Sequence, residues 1–213
     1  MSTAKEIRIL KHNSVYRIGD LVFCRGIRWL DDRKTILSNP IYKGSVLFKY
    51  LNSINIFDPS FINWNSLLNI VKEYNAPKDE DLYIYIRCGD IATDNEFHKD
   101  CFIFNQNKLL DLVSLNNDYK SINIIAAMHY GSNDKNNKYF FTEENYSTNI
   151  LLLNNLFESL SQKFNFKINI LKSDFDDINF IDDQFLKLIH CKNAIIDSGG
   201  FGELASILRS KLP

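Results

Sequence analysis

The chain lacks any long apolar run, and charged side chains interrupt its opening stretch, Met1 to Asp20, throughout. A membrane-spanning helix needs about 20 consecutive apolar residues, and a secretory signal peptide carries an uninterrupted apolar core. We therefore expect no transmembrane segment and a cytoplasmic location. In that compartment the sequon Asn145-Tyr146-Ser147 is expected to be unused.

Cysteine pairs and basic clusters are also lacking. Cys24, Cys88, Cys101 and Cys191 form no C-x-x-C motif, so the sequence gives no support to a zinc site or a redox motif. Free thiols in a reducing compartment are the simpler interpretation. The net charge is −1, and we expect no nucleic-acid partner, because binding to one needs a concentrated row of Lys and Arg.

The most informative segment is an apolar, β-branched run that ends in a cation, Leu82 to Asp90. Its Ile and Tyr content predicts a buried strand, and Gly89 permits a tight turn directly after it. Arg87 then lies near the carboxyl end of the strand, where open α/β sheets bind ligands. An Arg there suits a phosphate, because its planar fork donates two parallel hydrogen bonds. The alternative is an ion pair of Arg87 with Asp90 or another surface carboxylate.

A second segment, near the end of the sequence, also suits an anion. A strand is predicted over 194–196, followed by the turn Asp197-Ser198-Gly199-Gly200-Phe201 and a closing helix. Free N–H groups and a Ser hydroxyl at a helix N-terminus bind anions. We expect Gly200 to have a positive φ or to lie too close to the ligand for a side chain. The alternative is an ordinary turn in which Asp197 or Ser198 caps the helix.

The two segments together resemble a known family. The run from Tyr85 to Asp90 resembles the His-x-Arg-Arg-Gly-Asp strand end of GDP-fucose-dependent fucosyltransferases and their relatives with the GT-B fold. The segment from Cys191 to Phe201 resembles their later Cys, apolar strand and Ser-x-Ser-x-Phe turn. Cys88 stands where the family has its second Arg and Tyr85 where it has the His. The glycine pair stands where the family has the second Ser and its neighbour.

The resemblance implies a glycosyltransferase whose donor is a nucleoside-diphosphate sugar such as GDP-fucose and whose second partner is a glycan acceptor. In that family the first Arg contacts the diphosphate and the Ser-rich turn holds the phosphates; by resemblance these roles fall on Arg87 and on Ser198 with its neighbours. The family's fold class needs no metal for the transfer, and no cofactor besides the donor is expected. The predicted donor site comprises Arg87, Gly89, Asp90, His129, Asp182, Ser198, Gly199, Gly200 and Phe201.

The order of predicted elements indicates an α/β fold. From Ser121 onward, strands alternate with helices, and parallel strands need crossovers of this length. We predict Rossmann-like parallel sheets in a compact GT-B-like arrangement, with an acceptor lobe over 1–95 and a nucleotide-sugar lobe over 96–213. Further strands are predicted over 6–10, 101–104, 121–128 and 166–171, and helices over 21–30, 44–52, 61–74, 107–115, 147–164 and 182–190.

Two remaining donor-site candidates have structural alternatives. His129 follows a predicted strand and could hydrogen-bond a phosphate or act as a base; the alternative is a surface His beside a flexible loop. Asp182 or Asp183 could contact the ribose or base of a nucleotide, although an Asp at a helix start is a standard cap.

In the resembled family the loop that corresponds to Gly19 and Asp20 is glycine-rich and lines the acceptor side of the cleft. By this resemblance Asp20 is the candidate catalytic base, which would take the proton of the acceptor hydroxyl in an inverting transfer. The alternative is a cap of the helix predicted from Leu21. We interpret Asp174, Asp176 and Asp177 as capping and loop residues and predict no metal site.

Three functions remain open at this point. The first is the metal-independent glycosyltransferase, with Arg87 and Asp20 as its catalytic residues. The second is a non-catalytic nucleotide- or carbohydrate-binding protein of the same fold, which fits the missing second Arg. The third is a small hydrolase or phosphatase, although the sequence contains no recognisable nucleophile motif such as G-x-S-x-G.

Overall fold

The computed structural model describes the backbone of residues 8–11, 37, 38, 40, 43–55, 62–75, 80–115, 119–130, 136, 140–171 and 180–212. It also describes their side chains, except those of residues 8–11, 127, 129, 180 and 181.

A single parallel sheet organises the described part of the chain. Its five strands are β1 (Arg8–Lys11), β2 (Leu82–Gly89), β3 (Ser121–Tyr130), β4 (Lys167–Ile170) and β5 (Asn193–Ile196). β3 pairs with β2 along one edge, whereas β4 and β1 share its other edge, and β5 pairs with the far side of β2. The α/β class with a parallel sheet is thereby confirmed, and it is consistent with the predicted Rossmann-like class.

Helices connect the strands, as parallel pairing requires. They are α1 (Val46–Ser53), α2 (Trp64–Lys72), α3 (Gln106–Ser114), α4 (Glu143–Lys163), α5 (Phe180–His190) and α6 (Gly200–Lys211), and a 3₁₀ turn spans Asp90–Thr93. Side-chain caps begin the first four. Ser45, Asn63, Asn105 and Thr142 each accept a hydrogen bond from the backbone N–H three residues later, which satisfies a donor that has no partner within the helix.

The sheet buries one face against α3 and α4. Successive side chains of a strand point to opposite faces, and in β2 the residues of the buried face are Leu82, Ile84, Ile86 and Cys88. The same core takes Leu109 and Val113 from α3, and Leu153, Leu156 and Leu160 from α4. Arg87 therefore belongs to the opposite face of β2.

The residues form two compact units, one within Met1–Ser14, Lys78–Phe175 and Cys191–Ser198, the other within Val15–Pro77, Asp176–His190 and Gly199–Pro213. The first holds the sheet, α3 and α4, and the second holds α1, α2, α5 and α6. This division differs from the predicted lobes 1–95 and 96–213. Because β2 pairs with both β3 and β5, strands from both predicted ranges belong to one sheet.

One predicted strand is wrong. Residues 101–104 form turns instead, in which the N–H groups of Phe104 and Asn105 both donate to the carbonyl of Cys101. Their apolar side chains reflect burial rather than strand pairing, since Cys101, Phe102 and Ile103 are at most 2% exposed. The helix predicted over 21–30 lies outside the described residues.

None of the helices in the described ranges is long and apolar enough to span a membrane.

Candidate functional site

Arg87 stands close to the carboxyl end of β2, opposite Ala127 of β3 in the register. Its side chain is half-buried. Within the described ranges its guanidinium is paired with no carboxylate. The cation is thus held near the carboxyl ends of the strands, where parallel α/β proteins bind ligands.

Gly89 makes the turn that ends β2, as predicted. Its φ of 101° and ψ of −114° lie in a region of backbone conformation that residues other than glycine rarely adopt. Asn149 of α4, which is fully buried, clamps this residue: its Oδ1 accepts from the Gly89 N–H at 2.8 Å, and its Nδ2 donates to the Gly89 carbonyl at 2.9 Å. The turn into Asp90 is therefore held by α4, a helix that packs against the buried face of the sheet.

Asp197 follows β5 directly and is only 3% exposed. Its Oδ2 accepts from the N–H groups of Arg87 and Phe102, both at 3.1 Å, and its Oδ1 accepts from the N–H of Ser198 at 2.9 Å. Burial raises the pKa of the Asp197 carboxyl, and these three donors act in the opposite direction. One carboxylate thus joins β2, the turns after it and the segment after β5.

Ser198 is exposed and contacts a buried cysteine. Its Oγ lies 3.1 Å from the Sγ of Cys101, and either atom can donate the hydrogen bond. Burial raises the pKa of the Cys101 thiol, while the Ser198 hydrogen bond and the positive charge of Arg87 oppose this rise. Arg87 and Ser198, predicted from two distant segments, thus both act on the same thiol in the first unit.

The glycine turn differs from the prediction in one position. The positive φ, 104°, belongs to Gly199, whereas Gly200 is the first residue of α6. Neither Asp197 nor Ser198 caps α6, because Gly199 occupies the N-cap position without a side-chain hydrogen bond. Phe201 packs its ring against Phe185 of the same unit, with the ring centroids 5.2 Å apart.

Asp182 belongs to the second unit, as do Gly199, Gly200 and Phe201. It lies in the first turn of α5 and is 9% exposed. Its Oδ2 accepts from the N–H of Val46, the first residue of α1, at 2.7 Å. Burial raises the pKa of Asp182 to about 6, against the opposing effects of this N–H and of Lys49. Asp182 therefore caps a helix, but α1 rather than its own.

Several predicted positions are only partly described or not at all. Asp20 and the acidic residues Asp174, Asp176 and Asp177 lie outside the described residues. The backbone of His129 belongs to β3 and is paired in the register with Gly89, but its side chain lies outside the described part. Within that part, no group of three His, Cys, Asp or Glu side chains could hold a metal ion.

Sequence reasoning missed Asn149, although a signal was present. The buried stripe of α4 runs through Leu153, Leu156 and Leu160, and position 149 falls on it by helical spacing. A polar residue on an apolar stripe indicates a buried hydrogen-bonding role. For two of the three donors of Asp197 no local signal exists, because Arg87 and Phe102 lie 110 and 95 residues away in the chain.

The fold and the site define an α/β protein whose sheet-bearing unit presents a glycine turn, a hydroxyl and a cation that pairs with no carboxylate of the described residues. Comparison of the chain with protein-family models, with curated proteins and with solved structures finds no match in any of the three.

Proposed function

We propose that this chain is a glycosyltransferase, resembling the fucosyltransferases, that transfers a sugar from a nucleoside-diphosphate sugar to a glycan or another hydroxyl acceptor without a metal. The proposal includes a GT-B-like arrangement of the fold and a cytoplasmic location. Its proposed donor-binding residues are Arg87, Gly89, Asp90, His129 and Ser198, all of the first unit.

The observation that carries the proposal is the carboxylate shared by Arg87 and Ser198. Asp197 accepts from the backbone N–H of both residues, so the two residues expected to contact the diphosphate are tied to one group. Arg87 offers a guanidinium that no described carboxylate neutralises, and Ser198 offers an exposed hydroxyl. A fork-shaped cation and a hydroxyl, on two segments that one carboxylate joins, are chemistry suited to a diphosphate.

In the proposed reaction the acceptor oxygen attacks the anomeric carbon of the sugar. The bond from that carbon to the diphosphate oxygen breaks, and the diphosphate leaves with the bonding electrons. Arg87 would orient this leaving group and stabilise its growing negative charge, which is an electrostatic contribution to catalysis. The acceptor proton passes to a base, for which Asp20 is our candidate.

The direct test compares Arg87→Ala and Arg87→Lys with the wild type in calorimetric titrations with GDP and UDP. We expect Arg87→Ala to weaken binding about 10- to 100-fold, because a hydrogen bond to a charged group contributes about 1.5–3 kcal/mol. Arg87→Lys should recover part of the loss, since it keeps the charge without the fork. Lys120→Ala is the charge control: Lys120 is exposed and faces Glu80 at 3.9 Å.

Transfer and binding should also persist in EDTA and weaken with added salt, because the positive charge comes from a side chain that salt screens. Nucleotide affinity unchanged in Arg87→Ala would contradict the proposal. Activity lost in EDTA and restored by magnesium or manganese would contradict its metal-independent form.

A second candidate is a nucleotide- or carbohydrate-binding protein without catalysis. The observation that favours it is Cys88, which is 2% exposed and faces the apolar core. The position that carries the second Arg in the resembled family therefore contributes no cation here. Incubation of the protein with GDP-fucose separates the two candidates: release of GDP, faster with a glycan acceptor, indicates transfer, and binding without release indicates a binding protein.

A further inference from the structure

The side chain of Asp197 contacts both predicted phosphate-binding residues of the first unit. Its two oxygens accept three backbone N–H groups, from Arg87, Phe102 and Ser198. Its own N–H donates to the carbonyl of Tyr85 at 3.2 Å. The ladder between β5 and β2 pairs Ile196 with Tyr85 at its last step, so Asp197 extends this pairing beyond the end of β5.

The placement of Asp197 excludes direct contact with a ligand. The residue is 3% exposed, and both carboxylate oxygens already accept backbone hydrogen bonds. A carboxylate would also repel a diphosphate if it faced the ligand directly. Its effect on a ligand must therefore pass through the residues that it holds.

We propose that Asp197 is a positioning residue that sets Arg87 and Ser198 in the geometry that binds the diphosphate of the donor. This role rests on the proposed function. The position of a side chain follows from its backbone, and a binding group must be held within about 0.5 Å of its productive place. Asp197 holds the Arg87 backbone from the end of β5 and the Ser198 backbone from within the same turn. Loss of the carboxylate releases both constraints together.

The consequences of substitution follow from the three hydrogen bonds. In Asp197→Asn one oxygen can still accept, but the amide nitrogen meets an N–H donor in place of an acceptor, so at least one bond is lost. In Asp197→Ala all three N–H groups lose their partner. We expect the dissociation constant for GDP to rise about tenfold in Asp197→Asn, which corresponds to about 1.4 kcal/mol, and to rise further in Asp197→Ala.

Asn123→Ala is the matched control for a general loss of stability. Asn123 of β3 is 6% exposed and bonds to Asn169 of β4 and to Asp81, the residue before β2. It lies four residues from Ala127, the register partner of Arg87, or about 13 Å along the strand. Calorimetry at 10 °C, with folding of each variant verified by circular dichroism, should give a GDP dissociation constant within twofold of wild type for this control.

A double-mutant cycle distinguishes positioning from mere stabilisation. If Asp197 acts through Arg87, the effect of Asp197→Asn on GDP binding should shrink in an Arg87→Lys background, whereas independent effects would add. Additive effects, or a loss in Asn123→Ala as large as that in Asp197→Asn, would overturn the positioning role.

The failures of the two proposals are distinguishable. A wild-type protein that binds neither GDP nor UDP overturns the proposed function and this role with it. A wild-type protein that binds, with Asp197→Asn binding equally tightly, overturns the role of Asp197 alone.

Discussion

Asn149 illustrates how one side chain can hold a turn that lies far from its own helix in the sequence. Sixty residues separate it from Gly89, yet its amide satisfies both the N–H and the carbonyl of that glycine. A third bond, from Nδ2 to the carbonyl of Asn145, fixes the orientation of the amide. An amide is suited to this place because it carries a donor and an acceptor in one plane.

We expect Asn149→Leu to lower the free energy of unfolding by about 3 kcal/mol, because two buried backbone groups of Gly89 lose their partners at about 1–3 kcal/mol each. Urea unfolding measures this loss. Asn155→Ala, at an exposed position of the same helix, is the control and should change stability by less than about 0.5 kcal/mol. Stability of Asn149→Leu equal to that of the control would show that the clamp contributes nothing.

At the scale of the element, the start of α6 depends on a glycine pair whose two members differ. Gly199 has φ 104° and ψ 163°, a region essentially restricted to glycine, whereas Gly200 is already helical. The sequence identified the pair but not which member carries the unusual backbone.

The two glycines should therefore respond oppositely to alanine. Gly199→Ala should lower the free energy of unfolding by about 1–3 kcal/mol through backbone strain. Gly200→Ala should leave stability unchanged or raise it by up to about 1 kcal/mol, because alanine loses less conformational freedom in a helix. Thermal and urea unfolding of both variants provides the comparison. A larger loss of unfolding free energy in Gly200→Ala than in Gly199→Ala would contradict the assignment of the strained backbone to Gly199.

At the scale of the whole molecule, each unit is stabilised by a buried carboxylate that accepts backbone N–H groups from another segment. Asp197 does so in the first unit, and Asp182 does so in the second by bonding to Val46 of α1. In the second unit His190 adds a further link, because its Nε2 lies 2.8 Å from the carbonyl of Val71 in α2.

Asp182 should make the stability of the protein depend on pH. Its pKa in the folded state is about 6 against an ordinary value of 3.8, so between these values the folded protein keeps a proton that the unfolded chain releases. The free energy of unfolding should then fall as the pH rises from 4 to 6, by about 2–3 kcal/mol at about 1.4 kcal/mol per pKa unit.

Urea unfolding of Asp182→Asn from pH 4 to 7 tests this dependence. Asparagine still accepts from the Val46 N–H but does not ionise, so the variant should gain stability relative to wild type over that range. Val46→Pro is the reciprocal variant, because proline is tolerated at the first position of a helix. It removes the N–H that opposes the rise of the Asp182 pKa, so the stability of this variant should depend more steeply on pH. Identical pH profiles for Asp182→Asn and wild type would contradict the expected effect of this residue.

Much of the local structure was predictable from the sequence, because its signals are local. Helices predicted over 61–74, 107–115 and 182–190 correspond to α2, α3 and α5 to within a few residues, since apolar spacing and Asn caps act over one or two turns. The strand before Gly89 and the turn at that glycine were likewise predicted from β-branched content and the lack of a side chain.

The chain alone thus determined the α/β class, the parallel order of its strands and helices, and the cation at the end of β2. Only the tertiary structure decided that Asp197 bonds to Arg87 and Phe102, that Asn149 clamps Gly89, that residues 101–104 turn rather than pair, and that strands from both predicted lobes share one sheet. The physical reason is range. Periodicity and capping act between near neighbours, whereas the partner of a buried polar group is whichever segment the fold brings within about 3 Å, here 60 to 110 residues away.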